Sequence, residues 1–154
     1  MKNFLKVAAI FLAVFCFGAC SDNGDNYTPS TLEVIPNNIS GYWILAEYNG
    51  MEIPEGVFCY VQYIRKDKKF VMYQNFDSMY PRRITGTFSI GKDKYGKPLL
   101  GGKYDYGMGE WNNEYYVVEL LENSMVLKAD SDDAAVSKYV RCGGIPSEIL
   151  DAVK

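Results

Sequence analysis

The sequence contains no histidine. That absence removes imidazole acid–base catalysis, Ser-His and Cys-His nucleophile systems, and His-ligated zinc. Cysteine is scarce: four in 154 residues, with Cys16 and Cys20 both in the first twenty. No helical apolar repeat of useful length runs through the chain beyond residue 40. Basic charge is also short. The formal net charge is -3, and removal of residues 1–19, which contain Lys2 and Lys6 and no acids, takes it to -5. A nucleic-acid partner, which needs a basic patch, is therefore not expected. What is abundant is tyrosine, at 13, beside 8 phenylalanines. Aromatic residues suit pleated, half-buried surfaces, so the composition leans towards β structure.

Residues 1–19 read as a secretory signal. Lys2 and Lys6 form its positive start, and residues 7–17 are an apolar stretch of eleven. That length is too short to cross a hydrocarbon core of ~30 Å as a helix. The stretch ends in Phe17-Gly18-Ala19-Cys20, which resembles the lipobox of bacterial lipoproteins. The resemblance implies that Cys20 is lipidated and becomes the mature N-terminus, a membrane partner through its lipid. Two or more acyl chains would hold it stably. Ser21, in place of Asp, resembles the signal for delivery to the outer membrane. The expected location is the cell envelope, as an outer-membrane lipoprotein, with the leaflet open. Residues 20–40 then form the lipid anchor and a linker rich in Asn, Asp, Ser, Thr and Pro, with Leu32-Glu33-Val34-Ile35 expected against the end of the following domain.

From residue 41 to 154 a single domain is expected. Short apolar segments at 42–48, 58–65, 70–76, 83–90, 99–106, 115–121, 125–130 and 136–142 alternate with polar turns. The clearest is 83–90, where Ile84, Gly86, Phe88 and Ile90 alternate with Arg83, Thr85, Thr87 and Ser89. A period of two marks a strand with one dry and one wet face. Met125, Leu127 and Ala129 share a face in the same way. Gly101-Gly102 is expected to form a bulge or tight bend. Residues 146–153 are expected to form one or two turns of helix. Eight strands in hairpin order predict an all-β antiparallel up-and-down barrel, since closure removes the exposed edges.

Gly41-Tyr42-Trp43 at the first segment and Lys138-Tyr139-Val140-Arg141 at the last resemble lipocalins, and more closely the lipocalin-like domains of bacterial lipoproteins. The resemblance spans about residues 40–142 and implies an eight-stranded barrel whose floor is closed by Trp43, with Arg141 packed across it. A guanidinium over an indole gains ~0.5–2 kcal/mol. Gly41, Trp43 and Arg141 are thus expected to be structural.

If Trp43 marks the floor, the loops after the first, third, fifth and seventh segments gather at the mouth. They carry Met51, Met79, Tyr80, Met108 and Trp111, with Trp111 the leading residue, and the fourth carries Asp130, Asp132 and Asp133. Methionine repacks around irregular shapes, so this collar is a candidate site for an apolar ligand or a protein, or a plug of the barrel. The aspartates lack EF-hand spacing and are read as a solvated loop, so no metal is expected. Cys59, high on the second segment, and Cys142, at the foot of the last, are expected to be too far apart for a bridge. Carboxylates such as Glu47, Asp105, Glu110 and Glu119 have no spacing that singles out a catalytic pair, and neither an enzyme nor a cofactor is expected. The expected function is envelope binding of a small apolar or amphipathic ligand at or in the mouth. The alternative is an envelope protein-interaction or structural module, inhibitor-like, with a filled barrel. Tyrosine-lined walls also suit sugars.

Overall fold

The structure is a computed structural model that describes residues 30–76 and 78–153. The signal segment, Cys20 and the linker up to residue 29 lie outside the described residues, as does Asp77 of the third loop.

The strands are β1 (Gly41–Tyr48), β2 (Met51–Glu52), β3 (Cys59–Ile64), β4 (Lys69–Gln74), β5 (Arg82–Lys92), β6 (Pro98–Tyr104), β7 (Tyr115–Leu120), β8 (Ser124–Ala129) and β9 (Val136–Cys142). All pairings are antiparallel, the strands from β3 to β9 each lie beside their sequence neighbours, and β1 pairs with both β3 and β9 to close the ring. The fold is all-β: a closed, eight-stranded, up-and-down barrel, the architecture that the sequence resemblance implies. Two short helices flank it, α1 (Pro36–Ile39) and α2 (Ser147–Asp151). The ninth strand is an addition. β2 pairs only with β1, as Asn49-Gly50 folds the chain back before it leaves for β3.

Alternation decides which side chains enter the barrel. In β5, Gly86 and Phe88 are buried while Arg83, Thr87 and Ser89 are exposed. In β8, Met125, Leu127 and Ala129 are all buried. The alternation slips where the ladder bulges, at Ala46 opposite β9 and at Val118 opposite β8. Gly101-Gly102, expected to bulge, does not: β5 and β6 stay in register from Gly86↔Tyr104 to Lys92↔Pro98. Those glycines are there for space, not for a bend. β6 also ends at Tyr104, two residues earlier than expected, because Tyr106 and Gly107 take positive φ and turn the chain.

The floor is built around Trp43, which is fully buried and donates from Nε1 to the Ile39 carbonyl oxygen at 2.7 Å. The Arg141 guanidinium lies 4.1 Å from the centre of the indole ring. Its Nη1 and Nη2 donate to the Ser40 and Asn38 carbonyls at 2.8 and 2.6 Å, and its Nε donates to the Glu122 carbonyl. Arginine supplies five donors in a rigid fork, which is why one side chain can tie three backbone segments together. Gly41 sits beneath it with φ +125°, where a Cβ would come within 2.6 Å of Arg141 Nη1. The segment before β1 completes the floor: Ile39 is fully buried, Leu32 and Val34 pack on the core, and the Leu32 N–H donates to the Leu120 carbonyl at 2.7 Å.

Cys59 pairs with Gln74 at the mouth end of β3, and Cys142 pairs with Tyr42 at the floor. No disulfide joins them. A thiol assay on the denatured, unreduced chain from Ser21 onward is expected to find both thiols, and none would contradict this strand order.

Candidate functional site

The lower half of the barrel is full and the upper half is hollow. Below, Trp43, Val61, Phe70, Phe88, Leu100, Leu120 and Met125 are each no more than 3% exposed. Above them lies a cavity of about 280 Å³. Tyr48 of β1, Tyr63 of β3, Tyr104 of β6, Tyr115 of β7 and Tyr139 of β9 face it, joined by Phe76 and Trp111 from the mouth loops. Leu45, Met72 and Leu127 add aliphatic surface, and Cys59, Gln74 and Ser137 add polar atoms. Among the described residues that line it, none is Asp, Glu, Lys or Arg.

Three of the wall's tyrosines have hydroxyls that resist ionisation. Burial pushes the Tyr63 and Tyr139 hydroxyls well above their ordinary range, and the neighbouring Cys59 thiol adds to the effect at both. Burial, then Tyr104, raises Tyr115. These hydroxyls are therefore neutral hydrogen-bonding groups, not bases at neutral pH. An unfolded tyrosine ionises near pH ~10. The stability that Tyr63 and Tyr139 contribute is complete below that pH and is lost as pH rises above it through their native values, because the unfolded chain then binds fewer protons. In an alkaline titration, tyrosinate absorbance from these two is expected to appear in one step with the loss of near-ultraviolet circular dichroism. A gradual rise in a still-folded barrel would contradict their burial.

Trp111 reaches the interior because of a gap in the wall. β6 and β7 share only two paired positions, Leu99↔Tyr116 and Leu100↔Tyr115. Above them the chain between these strands doubles back along β6. The Trp111 N–H donates to the Gly102 carbonyl at 2.9 Å, the Tyr104 N–H donates to Gly109 at 2.8 Å, and Lys103 bridges to Glu110. The indole then meets Phe70 edge-on, with ring centres 5.2 Å apart, and Tyr115 at 6.1 Å. Gly102 makes the room: a Cβ there would lie 2.6 Å from the Trp111 ring and 2.5 Å from the Thr87 carbonyl oxygen. Gly102→Ala is expected to destabilise the barrel by about 1–3 kcal/mol, as overpacking does, and to shift the Trp111 fluorescence. An unchanged denaturation midpoint and spectrum would contradict that contact. Trp111 Nε1 is buried and has no hydrogen-bond partner among the described residues.

The other residues singled out at the mouth lie elsewhere. Met51 on β2 and Met79, Tyr80 and Met108 on their loops are between 68% and 91% exposed, and none lines the cavity. Met108 stands instead in an outer hollow with Arg83, Ile84 and Tyr106. Asp130, Asp132 and Asp133 are exposed, and no cluster of three or more metal-binding side chains occurs among the described residues. Sequence reasoning expected tyrosine-lined walls but named none of these residues as a site, although strand parity places them. Tyr139 is two residues from Arg141, and Tyr63 two from Val61, so each shares the inward face.

A larger hollow of about 700 Å³ lies on the outer wall over β7 and β8. Asp93, Lys97, Lys128 and Asp130 contribute to its lining. Charged side chains border it, whereas none is among the described residues lining the interior cavity, which is therefore the better candidate for an uncharged small molecule.

No protein-family model matches the sequence, and no curated protein matches it. Among solved structures, the chain is similar to a lipocalin-like protein from Bacteroides uniformis, with 12% sequence identity and a TM-score of 0.48 over 68% of this chain and 99% of that one.

Proposed function

We propose that this chain is a lipid-anchored protein of the bacterial cell envelope that takes a small apolar or amphipathic ligand into the upper half of its barrel. The observation that carries the reading is the division of the interior. A filled floor gives rigidity, and the uncharged, aromatic cavity above it offers apolar surface with a few convergent polar groups. Binding would work by burial, with each ~100 Å² of ligand apolar surface removed from water contributing ~2.5 kcal/mol. The described chain enters at the floor, through Leu32 on Leu120, so an anchor at Cys20 would leave the mouth free. We read the protein as a binder and not an enzyme, since burial keeps Tyr63, Tyr115 and Tyr139 protonated and no charged side chain is among the described residues of the cavity wall.

A second reading has its own support. Met79, Tyr80, Tyr106 and Met108 are strongly exposed on the loops at the mouth end, and such residues suit a protein partner. The two readings separate on one experiment. The chain from Ser21 onward is incubated with an extract of the native envelope and weighed by native mass spectrometry. The ligand reading expects a discrete small added mass, lost in Ser137→Leu, which fills the cavity. A folded protein with no adduct, or one that gains only a protein-sized partner, sinks it. For the anchor, Cys20→Ser is expected to move the protein out of the membrane fraction, and retention there would contradict lipidation at Cys20.

A further inference from the structure

We infer that Tyr63 Oη and Ser137 Oγ are the polar anchors of the interior cavity, and that its ligand is a compact, uncharged ring compound bearing a hydroxyl group. This rests on the ligand-binding reading and gives it residues and a ligand class.

The polar side chains of the wall divide into those already engaged and those left open. Gln74 Oε1 accepts from the Phe76 N–H at 2.7 Å. The Tyr115 hydroxyl is hydrogen-bonded to Asn113, and that of Tyr139 to Cys59. Tyr63 and Ser137 are different. They are 4% and 9% exposed, both line the cavity, and neither side chain has a hydrogen-bond partner among the described residues. Buried hydroxyls are ordinarily paired, so these two call for a partner that the fold does not supply. Nor are their oxygens sealed into the wall. Trp111 Nε1 is the one fully enclosed side-chain polar atom without a partner among the described residues. Tyr63 Oη and Ser137 Oγ therefore keep contact with open space, and the space they border is the cavity. Strand parity aims them there: Tyr63 shares the inward face of β3 with Cys59 and Val61, and Ser137 that of β9 with Tyr139.

The chemistry of the two anchors sets the class. A hydroxyl both donates and accepts, so a ligand hydroxyl can pair with either protein oxygen in either sense. A carboxylate or an ammonium group finds no opposite charge among the described lining residues, and burying one unpaired is strongly unfavourable. The space is also short. It holds about 280 Å³, and Trp43, Phe70, Phe88 and Leu100 fill the barrel beneath it, so a long acyl chain has no channel to run down. Much of the remaining wall is aromatic. Tyr104, Trp111 and Tyr115 stand with ring centres 6.1–6.5 Å apart and tilted to one another, an arrangement that accepts another ring by edge or by face.

The test uses three probes on one ring system: 2-naphthol, uncharged at neutral pH and carrying a hydroxyl; naphthalene, which has no polar group; and 2-naphthoate, an anion. Equilibrium dialysis against the chain from Ser21 onward, which contains every described residue, gives the affinities. A hydroxyl buried without a partner is penalised, so a wall with no open anchor would favour naphthalene. The wild type is instead expected to bind 2-naphthol at least about ten-fold more tightly than naphthalene, the effect of two hydrogen bonds, and to bind 2-naphthoate more weakly than 2-naphthol. Tyr63→Phe and Ser137→Ala remove the two hydroxyls and keep the shape of the wall. Each is expected to lower the ratio of 2-naphthol to naphthalene affinity, and the double variant to bring it to about one or below. Because the two hydroxyls have no partner in the free protein, the urea midpoint of the ligand-free double variant is expected to equal or exceed that of the wild type. A ratio that survives the double substitution, or a double variant that fails to fold, overturns the assignment of the anchors. A wild-type ratio of one or less, or 2-naphthoate binding as tightly as 2-naphthol, overturns the ligand class and leaves a ligand cavity in place. Binding by none of the three overturns the ligand-binding reading as well.

Discussion

Trp43→Ala is expected to lower the stability of the barrel by about 3–5 kcal/mol, the range for removing a large aromatic from a packed core. Trp43 is fully buried at the centre of the floor and belongs to the same packed cluster as Ile39, Val61, Met125 and Leu127. Its loss would leave a void that the surrounding strands cannot close, because they are held in register by their ladders on both sides. It would also strand two partners: the Ile39 carbonyl that receives its N–H, and the Arg141 guanidinium that lies over its ring. Urea denaturation followed by far-ultraviolet circular dichroism measures the change, with the slope checked so that the shift in midpoint reads as stability. A loss under ~1.5 kcal/mol would mean that the floor repacks and that the tryptophan is a surface cover rather than the base of the core.

Arg141→Ala is expected to cost about 2–4 kcal/mol. The change removes the contact with the Trp43 ring, worth ~0.5–2 kcal/mol. It also leaves the Asn38, Ser40 and Glu122 carbonyls without their charged donor, and bonds to charged groups contribute ~1.5–3 kcal/mol each before water replaces them. Arg141 is only half-buried, so water recovers part of that, which is why the expected total stays well below the sum. Arg141→Lys is expected to recover less than half of the loss, since an ammonium on a flexible stem cannot reach three carbonyls in one plane. Gly41 provides an internal control. Gly41→Ala both adds a Cβ 2.6 Å from Arg141 Nη1 and imposes a φ of +125° on an L residue. In the Arg141→Ala background only the backbone part remains, so the second substitution should cost less there than in the wild type. Equal costs in the two backgrounds would show that the glycine and the arginine do not act together.

The barrel was legible because its strands alternate. Where a strand has one wet and one dry face, as at 83–90 and 124–129, parity alone places the side chains. The floor was legible through the resemblance of Gly41-Tyr42-Trp43 and Arg141 to lipocalins, and the structure adds the reason for Gly41, which lies beneath the guanidinium where a Cβ would collide. The bulges at Ala46 and Val118 were not legible, since nothing in Leu45-Ala46-Glu47 or Val117-Val118-Glu119 distinguishes a slipped register from a regular one. The glycine pair 101–102 misled for a related reason. A glycine in a strand signals close approach or a bend alike, and only the path of the chain back along β6 decides between them. The same path explains the candidate site. Sequence reasoning placed Met51, Met79, Tyr80, Met108 and Trp111 at one end of the barrel by loop order, which says nothing about which loop folds inward. Hydrogen bonds from the chain beyond Tyr104 to the unpaired edge of β6 select Trp111 and leave the four others in solvent.

The central claim is that the hollow above the floor is a ligand site. Its most direct test is a crystal structure of the protein purified from its native membranes without a refolding step. The account predicts connected density for a compact molecule inside the barrel, between Trp111, Tyr115 and Tyr139. A cavity holding only solvent, with Met79, Tyr80 and Met108 buried against a second protein, would contradict it and assign the function to the outer loops.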